Sequence, residues 1–308
     1  MIMSKRLAAF TLIELSIVLL VLALLAGAAM RYANSLGDTN AVNATNASLD
    51  VVETALLNYR AEYGRLPCPA DLTQAESTAS FGTEIYSATS GASLGDGNCG
   101  YVSALNANAA YGTGGIYINL TDPDAAAGSD NNYGGSADPL YDSSTLNQVV
   151  QGAIPTKTLK IPDKYAYDAW GNKIFYAVDR RITATNAFTT YSVSNTVIGA
   201  VVVKKIATDT LANALTYKAL YALVSTGKNG HGGYVRNLTA TSVRASSGST
   251  NADEQDNCHC NSSAVPTSFN RIFVQKPKAI DYTSTSDNFD DIARFKTRIG
   301  TATNSELQ

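Results

Sequence analysis

Positions 7–30 read LAAFTLIELSIVLLVLALLAGAAM, a run whose one ionisable side chain is Glu14 and whose only other polar side chains are Thr11 and Ser16. Twenty helical residues rise about 30 Å, the hydrocarbon thickness of a bilayer, so this stretch can cross a membrane as one helix. Lys5 and Arg6 stand directly before the run, and only Arg31 lies close behind it. The positive-inside bias then keeps the first residues in the cytoplasm and puts everything after Met30 outside. Glu14 is the anomaly. A carboxylate in an apolar helix is costly in lipid unless a cation or a hydrogen-bond donor meets it.

Lys5-Arg6, then Ala9-Phe10-Thr11-Leu12-Ile13-Glu14-Leu15 and the apolar helix behind it, resembles the N-terminal signature of type IV pilins and type II secretion pseudopilins. The resemblance implies a leader peptide at 1–9, cut by a prepilin peptidase between Ala9 and Phe10, with Phe10 N-methylated as the new terminus. It implies a transmembrane helix at 10–30, in which Glu14 is the assembly carboxylate that pairs with the terminal amine of a neighbouring subunit. A buried carboxylate and a buried amine each cost desolvation energy, and together they offset it, so such a pair sets register as well as attraction. Ala9 departs from the family, which usually has Gly before the cut. Two other readings fit the same stretch: a secretory signal cleaved after Ala26-Gly27-Ala28, and a plain anchor with an incidental Glu14. The mature N-terminus separates the three.

The helix is expected to continue outside the membrane over 31–63. Val42, Leu49, Val52, Leu56, Tyr59 and Tyr63 step by three, four or seven residues and draw one apolar stripe, which calls for a sheet to pack against. Gly64 is a helix stop, and Pro67 and Pro69 forbid its resumption. The fold class expected is therefore α+β: a long N-terminal helix, membrane-spanning in its first half, packed on an antiparallel β-sheet head with long loops at 64–308. Many type IV pilins have a proline partway down this helix; here none precedes Pro67.

Charge is segregated along the head. Positions 69–156 hold nine anions and no Lys or Arg, and 157–308 hold eighteen cations and twelve anions. The acidic block argues against nucleic acid as a partner, and the two blocks could attract subunits head to tail. The loop-rich first part has one candidate strand near 115–120. Asp122, Asp124, Asp130 and Asn131 offer oxygens that calcium would accept, without an EF-hand's spacing, so the cofactor expectation is none, with calcium the one possible ion.

Further on, Asp168-Ala169-Trp170-Gly171-Asn172 reads as a tight turn feeding a strand, with Trp170 expected to seal the sheet onto the helix. It resembles the Asp-Pro-Trp-Gly-Asn turn of the major pseudopilins, with Ala169 in place of Pro. Strands are expected at 196–206 and 217–225, followed by the turn Ser225-Thr226-Gly227-Lys228-Asn229-Gly230, which is also like the family's. The tail at 288–296 suits a last strand or a short helix with an Asp290–Arg294 pair.

Four cysteines, Cys68, Cys99, Cys258 and Cys260, fit an oxidising compartment. The turn Gly95-Asp96-Gly97-Asn98 can carry Cys99 back to Cys68. The partners of Cys258 and Cys260 are left open. Cys258-His259-Cys260 lacks the four ligands of a structural zinc, His231 being the only other histidine, so no metal is expected there.

No nucleophile–base arrangement, Gly-x-Ser-x-Gly elbow or metal-binding His pair marks an enzyme. The resemblance implies a structural subunit, minor rather than major because the head is large, held in the bacterial inner membrane by a single pass with a periplasmic head and then drawn into a filament. Its partners would be the prepilin peptidase, the membrane and other pilin or pseudopilin subunits. The alternative is a membrane-anchored periplasmic binding or enzymatic domain that does not assemble.

Overall fold

The computed structural model describes residues 12–85, 99, 117–119, 149–183, 199–210, 213–236, 244–265, 271–279 and 286–297. The leader, Ala9, Phe10, the Gly95–Asn98 turn and Asp122, Asp124, Asp130 and Asn131 lie outside these residues. Helix α1 (Leu12–Tyr63) is 52 residues long. No proline interrupts it, and it stops where expected: Gly64 takes φ +64° and its N–H donates to the Arg60 carbonyl at 2.8 Å. The chain divides into two compact units, Met1–Asn46 and Ala47–Gln308.

In the first unit, every large apolar side chain from position 12 to 25 is exposed, from 46% at Val21 to 88% at Leu12. Among the described residues no helix is long and apolar enough to cross a membrane. Described side chains run unbroken only from position 12 to position 27, short of the roughly 20 a span needs, so part of the expected 10–30 span lies outside them.

The second unit is layered. A five-stranded antiparallel sheet has the order β1 (Tyr117–Asn119), β2 (Val149–Ala153), β3 (Phe175–Asp179), β6 (Tyr221–Ser225), β8 (Ile292–Lys296). Side chains alternate across a strand, and here both faces are covered. Tyr176, Val178, Tyr221 and Leu223 point to the layer of α1, where they bury Leu49, Val52, Leu56 and Tyr59. Phe175, Ala177, Ala222 and Val224 point the other way, onto a second sheet made of β5 (Thr216–Ala219), β4 (Val201–Lys204) and β7 (Ile272–Val274). Of the expected stripe, Tyr63 stays 42% exposed, stacked on Tyr59 with ring centroids 4.4 Å apart.

A buried ion pair fixes the chain as it leaves α1. Arg65 grips Glu84 with two nitrogens at 2.8 and 3.0 Å, and the Tyr59 hydroxyl and the Cys68 N–H donate to the same carboxylate. With four donors on it, this carboxylate is fully compensated for its burial. Disulfides join Cys68 to Cys99 and Cys258 to Cys260.

Several expectations are corrected. The head has two sheets, not one, and β4 pairs with β7 in parallel. The strand expected over 217–225 is split at Leu220: β5 pairs with β4, while β6 pairs with β3 and β8. Leu220 itself is fully buried on the α1 side and exchanges backbone bonds with Asp179 and Lys296, which locks the crossing between sheets. Trp170 does not seal the core; it is half-buried with the Lys278 ammonium 5.6 Å from its ring. The tail takes the strand alternative, β8, rather than the helix, so Asp290 and Arg294 do not make the helical pair; Arg294 instead meets Asp50 and Glu53 of α1. The polar excursion at 245–263 contains a helix, α2 (Ala252–Cys258), capped by Asn251, whose side chain accepts from the Asp253 N–H at 2.9 Å.

Candidate functional site

Two places carry unusual chemistry. The first is the start of α1. Glu14 lies exposed in its first turn. Ile17, Val18, Leu19 and Leu20 succeed one another about every 100° around the axis, so the apolar surface faces all directions rather than one stripe. A helix that is apolar all round is of the kind otherwise found buried, in a protein core or in lipid. Cleavage and methylation at Ala9 and Phe10 fall outside the described residues.

The second place is in the head, where α2, the turn after β6 and the entry to β8 converge. Asn251 starts α2 and thereby puts Glu254 in its first turn, where the free N–H groups favour an anion. Asn229 fixes this carboxylate by donating from Nδ2 to both Glu254 oxygens at 2.9 Å. The Asn229 N–H donates to Asp290 Oδ2 at 2.9 Å, and Asn257 Nδ2 donates to Asp291 Oδ2 at 2.9 Å.

Glu254, Asp290 and Asp291 are all buried, and one oxygen from each lies within 4.8 Å of the others. Asp290 Oδ1 and Asp291 Oδ1 are buried with no hydrogen-bond donor. Burial pushes Asp290 up from the usual 3.8 to about 6, against the Asn229 N–H bond, with the Glu254 charge adding to the rise. Burial, then the Glu254 and Asp290 charges, hold Asp291 well above the usual carboxylate range. Three clustered carboxylates with two unclaimed oxygens form a donor set for a hard divalent cation of the calcium or magnesium class. Without such an ion, Asp290 and Asp291 hold protons to higher pH than ordinary carboxylates do.

Neighbouring Asp168 belongs to the turn before β3. Its Oδ1 accepts from the Trp170 and Asn172 N–H groups at 3.0 and 2.9 Å, and its Oδ2 accepts from the Ser225 hydroxyl at 2.7 Å. Burial raises it to about 6 in spite of these bonds. It ties this turn to the end of β6.

The calcium candidates at 122–131 lie outside the described residues; among the described residues, the gathered carboxylates are Glu254, Asp290 and Asp291. The sequence places Glu254 some 36 positions from Asp290, with no local spacing to join them. One signal was available: Asn251 followed by Asp253 and Glu254 is a helix-start pattern, and it would have revealed α2. No protein-family model, no curated protein and no solved structure matches this chain.

Proposed function

We propose that this chain is a structural subunit of a type IV pilus or type II secretion filament. Its first unit would be held in the bacterial inner membrane and then in the filament core, and its head would be periplasmic. The observation that carries this reading is a helix exposing apolar side chains all round, with the single carboxylate Glu14 in its first turn, joined to a disulfide-bonded α+β head. A lone helix with that surface needs lipid or like helices around it, and the trade of one for the other is what assembly requires.

On this reading the prepilin peptidase cuts between Ala9 and Phe10, and Glu14 meets the new amine of a neighbouring subunit. The head's carboxylate cluster then has a supporting task. A cation between Glu254, Asp290 and Asp291 would lock α2, the turn after β6 and the entry to β8 into one unit before the subunit leaves the membrane. Glu14→Ala tests the assembly step: the variant is expected to insert in the membrane as the parent does and to be lost from sheared filaments. Normal incorporation of Glu14→Ala would overturn the mechanism and favour an anchored domain that does not assemble.

A further inference from the structure

The fold brings His231, from the turn after β6, against the two cysteines that bracket His259 at the end of α2. One ring nitrogen of His231 and the sulfurs of Cys258 and Cys260 lie within 4.8 Å of one another, and all three residues are buried. Gly232 makes room for this approach: a Cβ there would stand 2.7 Å from each sulfur. His231 Nε2 lies 3.0 Å from the Asn261 carbonyl oxygen, which only accepts. The ring proton therefore sits on Nε2, and Nδ1 is the acceptor nitrogen, taking the Ser247 N–H at 3.4 Å with the Ser247 hydroxyl 3.2 Å away, contacts that an incoming ion would replace. A metal-ligating histidine is oriented in this same way, by giving its other N–H to a backbone carbonyl.

Arg244 ties the two segments together: its guanidinium donates to the Gly232 and Cys258 carbonyls. Cys258 and Cys260 are separated by a single residue, so both sulfurs stay within reach of one ion when the bond between them is open.

We propose that Cys258, Cys260 and His231 form a redox-gated site for a borderline-soft divalent cation of the zinc class. In the oxidised chain the sulfurs are joined and offer no thiolate. A thiol or phosphine reductant supplies two electrons: the S–S bond breaks, and each sulfur takes one electron and one proton. A newly exported chain is already in this dithiol state and needs no reductant. The metal ion then displaces both thiol protons to solvent, forming two bonds to sulfur and one to the His231 nitrogen. Two thiolates cancel the ion's charge, so the buried centre is neutral, and water or the Ser247 hydroxyl completes four-coordination.

The test uses the full chain in detergent, reduced with a phosphine under anaerobic conditions and titrated with Co2+ as a spectroscopic substitute, then with Zn2+ against a chromophoric chelator. The reduced chain is expected to bind one ion with thiolate-to-cobalt charge-transfer absorption, and the oxidised chain none; this comparison needs no substitution. Cys68→Ser with Cys99→Ser should retain the absorption, and Cys258→Ser with Cys260→Ser should abolish it. His231→Ala should weaken zinc binding by about tenfold or more. The proposal is overturned if the reduced chain binds no stoichiometric ion, if binding survives loss of Cys258 and Cys260, or if His231→Ala leaves the affinity unchanged.

Discussion

Asp168→Asn isolates the energetic consequence of burying a carboxylate in the turn before β3. Asp168 is 6% exposed, and burial raises it from 3.8 to about 6. A carboxyl with a raised folded pKa holds its proton more tightly folded than unfolded, so folding stability falls as pH rises through that window and is level above it. A shift of about two units corresponds to about 3 kcal/mol. Asparagine keeps the Oδ1 acceptor for the Trp170 and Asn172 N–H groups, and its amide can donate to Ser225, so the turn survives without the charge. Asp290 and Asp291 share the sign of the shift and are present in both chains; the Asp168 charge is only the last of the causes that raise Asp291, so their contribution largely cancels in the difference. Urea unfolding of the full chain in detergent, followed by the fluorescence of the sole tryptophan, Trp170, reads the effect. The stability of Asp168→Asn relative to the parent should rise by about 2.4 kcal/mol between pH 4 and pH 7. A flat difference, or one that falls with pH, would refute the reasoning by showing that the folded carboxyl ionises as easily as the unfolded one.

Three further predictions concern the head. On chain-entropy grounds, opening the Cys68–Cys99 bridge, 31 residues apart, costs about 3.7 kcal/mol, against about 1.6 for Cys258–Cys260, two apart; equal losses in urea unfolding of the paired serine variants would contradict this. Leu56→Ala, fully buried between α1 and the five-stranded sheet, should lose roughly 2 to 5 kcal/mol, whereas Leu20→Ala, 62% exposed, should leave head unfolding unchanged. Calcium at a hundredfold its dissociation constant should stabilise the head by about 2.7 kcal/mol, with Asp291→Asn removing the response; a calcium-insensitive melting temperature in the parent would exclude the carboxylate cluster as a cation site.

What the sequence disclosed was local and periodic. The stop at Gly64, the buried stripe of Leu49, Val52, Leu56 and Tyr59, and the turn at Asp168–Asn172 each follow from spacing or from one residue's conformational reach. What it hid depends on distant partners. Residues 217–225 form one unbroken β run as written, and only pairing with β4 on one side and β3 and β8 on the other divides it at Leu220. Trp170 has the size of a core residue, yet the turn that carries it leaves it at the surface beside Lys278. Glu254 meets Asp290 and Asp291, and His231 meets Cys258 and Cys260, only because α2 is laid against the turn after β6. A seven-residue helix with no apolar period announces itself through its cap alone.

The central claim rests on what happens at the start of the chain. Intact mass and N-terminal sequencing of the protein recovered from membranes, with and without the prepilin peptidase, test it most directly. The account predicts a chain that begins at N-methylated Phe10 only when the peptidase is present. A chain beginning at Met1 in both cases, or just past Ala28, would contradict it.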